Sequence, residues 1–229
     1  MSIKDKYEVR PIPQREAEPW ILEKHYAHRL PMVMEFTYGL FNIKEKILKG
    51  VCVFGPTAPT VPLTIFGNYN YKVRELTRLI IDDNCEKNTG SFFISNCFKL
   101  LPTPMCLVSF ADANMNHHGY IYQATNWIYT GEGGHLFFYI DENKNEIHNL
   151  TIGDRMKKEN INSKQEYIEK HNIKKEKSKP KYRYIYFLGD KREKKQMLKD
   201  FKLQQLPYPK GDNKNYDTSE KIPRQQILF

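Results

Sequence analysis

An α+β fold, a mixed twisted sheet flanked by helices with a basic C-terminal extension, is predicted from three observations. The first is the order of elements along the chain: helix, hairpin, strand, a Gly-containing turn, helix, strand, helix, strand, strand. The second is composition, since 229 residues at 40% hydrophobic and 13% aromatic suffice for a real core and do not resemble a disordered chain. The third is charge placement. From Thr151 onward there are 21 Lys+Arg against 11 Asp+Glu, so the net charge of +9 lies in the C-terminal third. That third suits a polyanionic partner, and Tyr182, Tyr184, Tyr186 and Tyr208 interleave aromatics among the cations.

The elements follow in order. Pro19–Arg29 reads as a first helix, ended by Leu30-Pro31, and Phe36–Phe41 as a strand. Asn42–Glu45 is a polar turn, and Ile47–Phe54 returns as the second hairpin strand. Three prolines between Gly55 and Pro62 predict an irregular, rigid surface loop. Val73–Ile81 is a strand with Arg74, Glu75 and Arg78 among apolar residues, and Asn88–Ser91 opens a helix from Phe92 to Leu101. Met105–Phe110 reads as a buried strand, Gly119–Tyr129 as a helix and Leu136–Ile140 as another strand. Lys181–Leu188 is predicted as a strand and Lys191–Phe201 as a basic helix. The expected organisation is a core beginning with residues 1–153 and a lysine-rich insertion or arm over 154–180 that orders on binding. The strand and helix of 181–205 close the core, and 206–229 form an extended tail.

No window reaches the roughly 18 apolar residues of a membrane span, and no signal-peptide core follows Met1, so an intracellular protein is expected. Cys52, Cys85, Cys97 and Cys106 form no CxxC pair and read as free thiols, which argues against a zinc ribbon.

Chemistry concentrates between Ser109 and Trp127. Asp112 falls at the end of the Met105 strand, followed by His117, His118, Tyr120, Tyr122, Gln123 and Asn126. A strand tip that delivers polar groups to a helix start is a common place for a site, although a solvated loop with a capping Asp has the same residues. Arg78, mid-strand among apolar neighbours, either faces a site or pairs with a carboxylate such as Glu75. His25 and His28, at i and i+3 of the first helix, share a face.

The element order resembles the acetyltransferase fold of the GNAT type. In that fold a turn after the fourth strand binds a cofactor pyrophosphate at a helix N-terminus. The resemblance assigns that role to Lys87, Asn88, Thr89, Gly90 and Ser91, with one glycine where the usual turn has two. Three blocks in order, His25-Tyr26 with His28–Pro31, Glu75–Leu79, and Ser109–Asp112 with Gly119–Asn126, resemble the Mom family of phage DNA-modification proteins. The resemblance spans roughly Trp20–Gly131. It implies conversion of adenine in duplex DNA to an N6-carbamoylmethyl form that protects phage DNA from host restriction. The location it implies is the cytoplasm of an infected bacterium, without membrane association. On this resemblance Asp112 is the base or a metal ligand, Tyr122 protonates a leaving group, and Tyr26 stacks on an extruded base. His25, Arg78 and Ser109 belong to the same site. Iron is the implied metal, with His25, His28, Asp112 and His118 as its candidate ligands. The donor, whether acyl-CoA-like or aminoacyl-type, is left open. Lys174, Lys175, Lys177, Lys179, Lys181 and Arg183 are the expected phosphate contacts. Two other readings compete: a GNAT-type N-acyltransferase on a protein or small amine, and a non-catalytic nucleic-acid-binding module.

Overall fold

The computed structural model describes residues 2–133, 137–147, 149–177, 179 and 181–211. In chain order the elements are α1 (Ile3–Lys6), β1 (Tyr7–Pro11), α2 (Gln14–Lys24), β2 (Phe36–Asn42), β3 (Leu48–Pro56), α3 (Thr60–Phe66), β4 (Val73–Ile81) and α4 (Thr89–Leu100). Then follow β5 (Met105–Asp112), a short turn of 3-10 helix at Ala113–Met115, α5 (Tyr120–Ala124), β6 (Ile128–Gly133), β7 (Phe137–Ile140) and β8 (Glu146–Ile147). The last are α6 (Asn149–Lys158), α7 (Lys164–Lys170), β9 (Lys174–Lys177), β10 (Lys181–Leu188) and α8 (Lys191–Asp200). The described chain divides into two compact units. One comprises the residues up to Ser109, Gly119–Gly131 and the residues from Arg183, and the other Phe110–His118 and Glu132–Tyr182.

The expected α+β class holds. A seven-stranded mixed sheet runs in the order β1-β2-β3-β4-β5-β10-β6. β1 to β4 pair antiparallel, and β4 pairs parallel with β5 over Val73↔Cys106, Arg74↔Leu107 and Glu75↔Val108. The β2–β3 hairpin and β4 fall where the sequence reading put them, because these runs are apolar, β-prone and punctuated by turns. One sheet face is covered by α2: Ala17 and Ile21 pack with Ile12, Met34, Phe41, Val51, Val53 and Ile80, with Trp20 and Leu30 beside them. In the first unit an aromatic group also forms, in which Trp127 meets Tyr122, Phe98 and Tyr186, and Tyr184 meets Tyr122, Tyr129 and Tyr208.

Four readings need correction. The first helix begins at Gln14, not Pro19, and ends at Lys24, because Ala17 and Ile21 supply its buried face and His25 leaves it in extended geometry. The proline-rich stretch is partly regular: β3 runs to Pro56, Pro59 caps α3 and Pro62 falls in its first turn, where a missing N–H costs nothing. The helix expected over Gly119–Tyr129 is the short α5, and β6 follows. Thr125 Oγ1 donates back to Ile121 O, Asn126 turns left-handed at φ +60°, and Trp127 N–H donates to Tyr122 O, which stops the helix. The lysine-rich stretch, expected as an arm, belongs to the second unit. There β8, β7 and β9 form a three-stranded antiparallel sheet with α6 and α7. Tyr139, Ile147, Ile152, Tyr167 and Ile173 form its own core.

Of the expected strand Leu136–Ile140, Leu136 lies outside the described residues, as do 212–229 of the expected tail. The described part of the tail is docked within the first unit, where Leu206 N–H donates to Tyr129 O and the Tyr208 hydroxyl to Trp127 O. No helix among the described residues is long and apolar enough to cross a membrane.

Candidate functional site

In the first unit the expected residues Tyr26, Arg78, Ser109 and Tyr122 fall into one electrostatic neighbourhood with Glu75. β4 and β5 supply the frame. The register between β3 and β4 slips by one residue, Val53 facing Arg78 and Phe54 facing Leu76, so Thr77 is bulged out of the ladder. Thr77 Oγ1 donates to Val53 O at 3.2 Å. A bulge re-aims the side chains beside it, here Leu76, Arg78 and their neighbours.

Ser109, 1% exposed, lies on β5 just past the last parallel ladder pair. Its hydroxyl donates to Leu76 O at 2.9 Å, and its Oγ is 2.8 Å from the Tyr122 hydroxyl. With the Ser109 proton engaged by Leu76, Tyr122 is the donor of that second bond. α5, short as it is, therefore delivers a buried phenol onto the strand. Burial pushes the Tyr122 phenol well above the ordinary tyrosine range, and Tyr26, Cys52 and Glu75 add to the rise. At neutral pH Tyr122 is a proton donor held in one orientation, and not a base.

Arg78 Nε and Nη2 donate to Arg29 O at 3.3 and 2.7 Å, and Nη1 to Thr77 O at 2.7 Å. Burial lowers its guanidinium's affinity for the proton, while Tyr26 and Glu75 hold the charge in place. Arg78 thus fastens the segment after α2 to the sheet. Glu75, seen in the sequence only as a possible counter-charge, contributes to the fields at both Arg78 and Tyr122. The bulge that sets this arrangement leaves no mark in the sequence, since a one-residue slip alters no residue type.

His25 is buried and stacks on Tyr26 with ring centroids 4.3 Å apart. Its Nδ1 accepts from Ala27 N–H at 3.1 Å, and His28 Nδ1 lies 2.7 Å from Leu22 O. The helical i, i+3 pair expected for these histidines does not form, because α2 ends before them and His28 is left-handed at φ +43°. In the second unit Asp112, the last residue of β5 as expected, is buried and lies 3.4 Å from Lys181 Nζ. His118 stacks on Tyr182 at 5.8 Å. Among the described residues no three His, Cys, Asp or Glu side chains are grouped to hold a metal ion. Of the expected iron ligands, His25 and His28 lie in the first unit and Asp112 and His118 in the second.

The expected cofactor turn, Lys87–Ser91, leads into α4 in the first unit. A Cβ at Gly90 would meet Ile121 Cδ1 at 2.8 Å and Ile81 Cδ1 at 3.2 Å, so this glycine makes room for packing. Thr89 N–H bonds Glu86 O, Ser91 Oγ donates to Asn88 O, and Phe92 N–H bonds Asn88 O. Thr89 Oγ1 is buried without a hydrogen-bond partner. Within the turn the glycine is occupied with packing and the Thr89 N–H with Glu86 O.

The expected phosphate contacts separate. Lys174, Lys175 and Lys177 lie exposed on β9, Lys175 Nζ 4.2 Å from the Phe137 ring centroid, and Lys179 is exposed just after it. Lys181 pairs with Asp112. Arg183 instead braces the first unit, its Nε on Thr130 Oγ1 at 2.8 Å and Nη2 on Thr130 O at 3.1 Å. A cavity of about 440 Å³ opens beside the start of β2, lined by Gln14, Met34, Phe36, Thr37 and Tyr38 among others. None of the residues expected to act lines it.

Comparison with known proteins bears on this geometry. The model of the Mom protein family matches residues 6–210. The methylcarbamoylase mom of Escherichia phage Mu is 30% identical over 204 residues, covering 83% of this chain and 78% of that protein. Among solved structures, a ribosomal-protein-S5-alanine acetyltransferase from Vibrio fischeri aligns at 8% identity with a TM-score of 0.44, covering 81% of this chain and 94% of that one. A histone acetyltransferase HPA2 and related acetyltransferase from Corynebacterium glutamicum aligns at 10% identity and a TM-score of 0.43, covering 81% and 98%.

Proposed function

Because the chain belongs to the Mom protein family, we propose that it modifies the exocyclic N6 amine of adenine in duplex DNA, giving an N6-carbamoylmethyl-type base. The proposed biological role is protection of phage DNA from host restriction inside the infected bacterium. The observation that carries the reading is the 30% identity to the phage Mu methylcarbamoylase over most of both chains.

The chemistry sets what the residues must do. The N6 lone pair is delocalised into the purine ring, so the amine attacks only when oriented and relieved of a proton. The N6–C bond forms as the N6–H bond breaks. The leaving group of an activated two-carbon donor then departs with the electron pair of its old bond and takes up a proton. Tyr122 is the acid for that last transfer: its phenol keeps its proton at neutral pH and is aimed by Ser109, itself fixed on Leu76 O. Tyr26, beside Arg78, is the aromatic wall for the extruded base, and Arg78 sets that wall's position through Arg29. The base that the family resemblance implies for the N6 proton is Asp112.

Nucleosides from the DNA of bacteria expressing the chain should include a deoxyadenosine carrying a carbamoylmethyl group, detected by mass spectrometry. The same DNA should resist restriction enzymes whose sites contain the modified adenine. Unmodified DNA from cells holding well-folded protein would reject the reading. Tyr122→Phe should lower turnover by about 10²-fold with an unchanged circular dichroism spectrum. Turnover at the wild-type level in that variant would remove Tyr122 from the acid role.

A further inference from the structure

The segment joining α2 to β2 is anchored along its length and yet holds an apolar side chain out into solvent. Arg78 grips Arg29 O with two N–H groups, at 3.3 and 2.7 Å. Leu30 and Met34 turn inward onto the core face that α2 covers. Gln14 Nε2 donates to Met34 O at 2.7 Å, and Glu35 N–H to Phe54 O at 2.9 Å. Val33 O sits so close to β3 that a Cβ on Gly55 would be 2.4 Å from it. Between these anchors Met32 is 92% exposed and Val33 51%. A mobile loop with a wandering methionine needs no explanation. A segment pinned at both ends, with Pro31 fixing one backbone angle just before the methionine, presents that side chain in a set place.

We infer that Met32, with Val33 beside it, is a wedge that enters the base stack and fills the gap left when the target adenine is extruded. The inference rests on the reading that the substrate is adenine in duplex DNA. Extrusion breaks stacking on both sides of the base, and proteins that open a stack commonly insert an apolar side chain such as Met, Leu or Phe into it. An unbranched, polarisable thioether is thin enough to lie between base pairs and retains contact with both. The position agrees with the task. Met32 is three residues from Arg29, hence within about 11 Å of it along the chain, and Arg29 is tied to the residue whose charge is felt by Tyr26. One segment therefore carries both the wall for the extruded base and the side chain that replaces it. Lys24 and Arg29, upstream on the same stretch of chain, are cations of the kind that meets a phosphate backbone.

The test measures modification by the full chain on two substrates of the same sequence. One is a fully paired duplex, and the other places the target adenine opposite an abasic site, where extrusion is already easy. Met32→Ala should lose at least about tenfold in rate on the paired duplex and keep the wild-type rate on the second substrate. Met32→Leu should restore most of the loss. Equal rates for Met32→Ala and wild type on the paired duplex, or the same loss on both substrates, would overturn the wedge. A wild-type chain that modifies neither substrate overturns the adenine reading and the wedge with it, whereas activity on both substrates without a Met32 effect leaves the reading standing and rejects the wedge alone.

Discussion

A methyl group added at Gly119 would lie 2.4 Å from Tyr184 Cε2 and 2.8 Å from its hydroxyl, at a φ of +77°. Both the left-handed backbone and the close approach require glycine there, and the residue sets the start of α5 and so the placement of Tyr122. Gly119→Ala should cost about 1–3 kcal/mol through overpacking and backbone strain, read as a lower denaturant midpoint. At Gly153, inside α6, an added Cβ would meet nothing within 4 Å. Gly153→Ala should therefore raise stability by up to about 1 kcal/mol, since it removes backbone freedom from the unfolded chain and improves the helix. Identical effects from the two substitutions would mean that the Tyr184 contact does not constrain the fold. Sequence alone puts Gly119 at the start of an expected helix and Gly153 at the end of the first core stretch. The left-handed backbone of Gly119 and the ring of Tyr184, 65 positions further along the chain, separate them.

At the scale of elements, α8 shows how a basic helix with few apolar residues stays in place. Met197 is its buried apolar residue, and Asp200 at its end accepts hydrogen bonds from the Tyr71 hydroxyl and from Gln196. The bond to Asp200 pushes the Tyr71 phenol up to about 12, with burial adding to the rise, and the same bond holds the Asp200 carboxyl below the usual carboxylate range. The two shifts give a window. A raised phenol contributes fully below its ordinary value of about 10 and loses the contribution as pH climbs through 12. A depressed carboxyl contributes fully above about pH 4 and loses it on acidification. Tyr71→Phe should speed amide exchange throughout α8 at neutral pH while leaving β4 protected, and raising the pH of the wild-type chain from 10 through about 12 should release α8 in the same way. Unchanged exchange in α8 would show that Met197 and the aromatic contacts of Phe201 suffice. The capping box of Asp190 and Glu193 at the other end of α8 was open to reading from the sequence, because it is a local pattern. The partnership with Tyr71 was not.

Over the whole molecule, the division into two units changes the meaning of the charge. The second unit holds 11 Lys+Arg against 10 Asp+Glu, so nearly all of the excess of +9 belongs to the first. The lysines of β9 are exposed, but they sit in a unit close to neutral, whereas Lys191, Lys194 and Lys195 on α8 belong to the unit that carries the excess. Charge reversal at Lys191, Lys194 and Lys195 should flatten the salt dependence of DNA binding by about 0.9 in log–log slope for each phosphate no longer neutralised. Reversal at Lys174, Lys175, Lys177 and Lys179 should flatten it less, and the opposite ranking would place the main phosphate track on β9. The amino-acid sequence by itself determined the class of fold, the β2–β3 hairpin, the spans of β4 and β10, the strand-end position of Asp112 and the family. Each of these is written in local periodicity, turn residues or short motifs, which neighbouring residues decide among themselves. Tertiary structure decided where α2 and α5 stop, that the lysine-rich stretch closes around Tyr139 and Tyr167, and that Gly90 serves Ile121. It also decided that Arg183 and Lys181 have partners within the protein, and that Tyr122 donates its hydrogen bond to Ser109 across 13 positions of chain. Those outcomes depend on contacts between residues far apart in the chain, and no local pattern records which distant side chain will fill a given space.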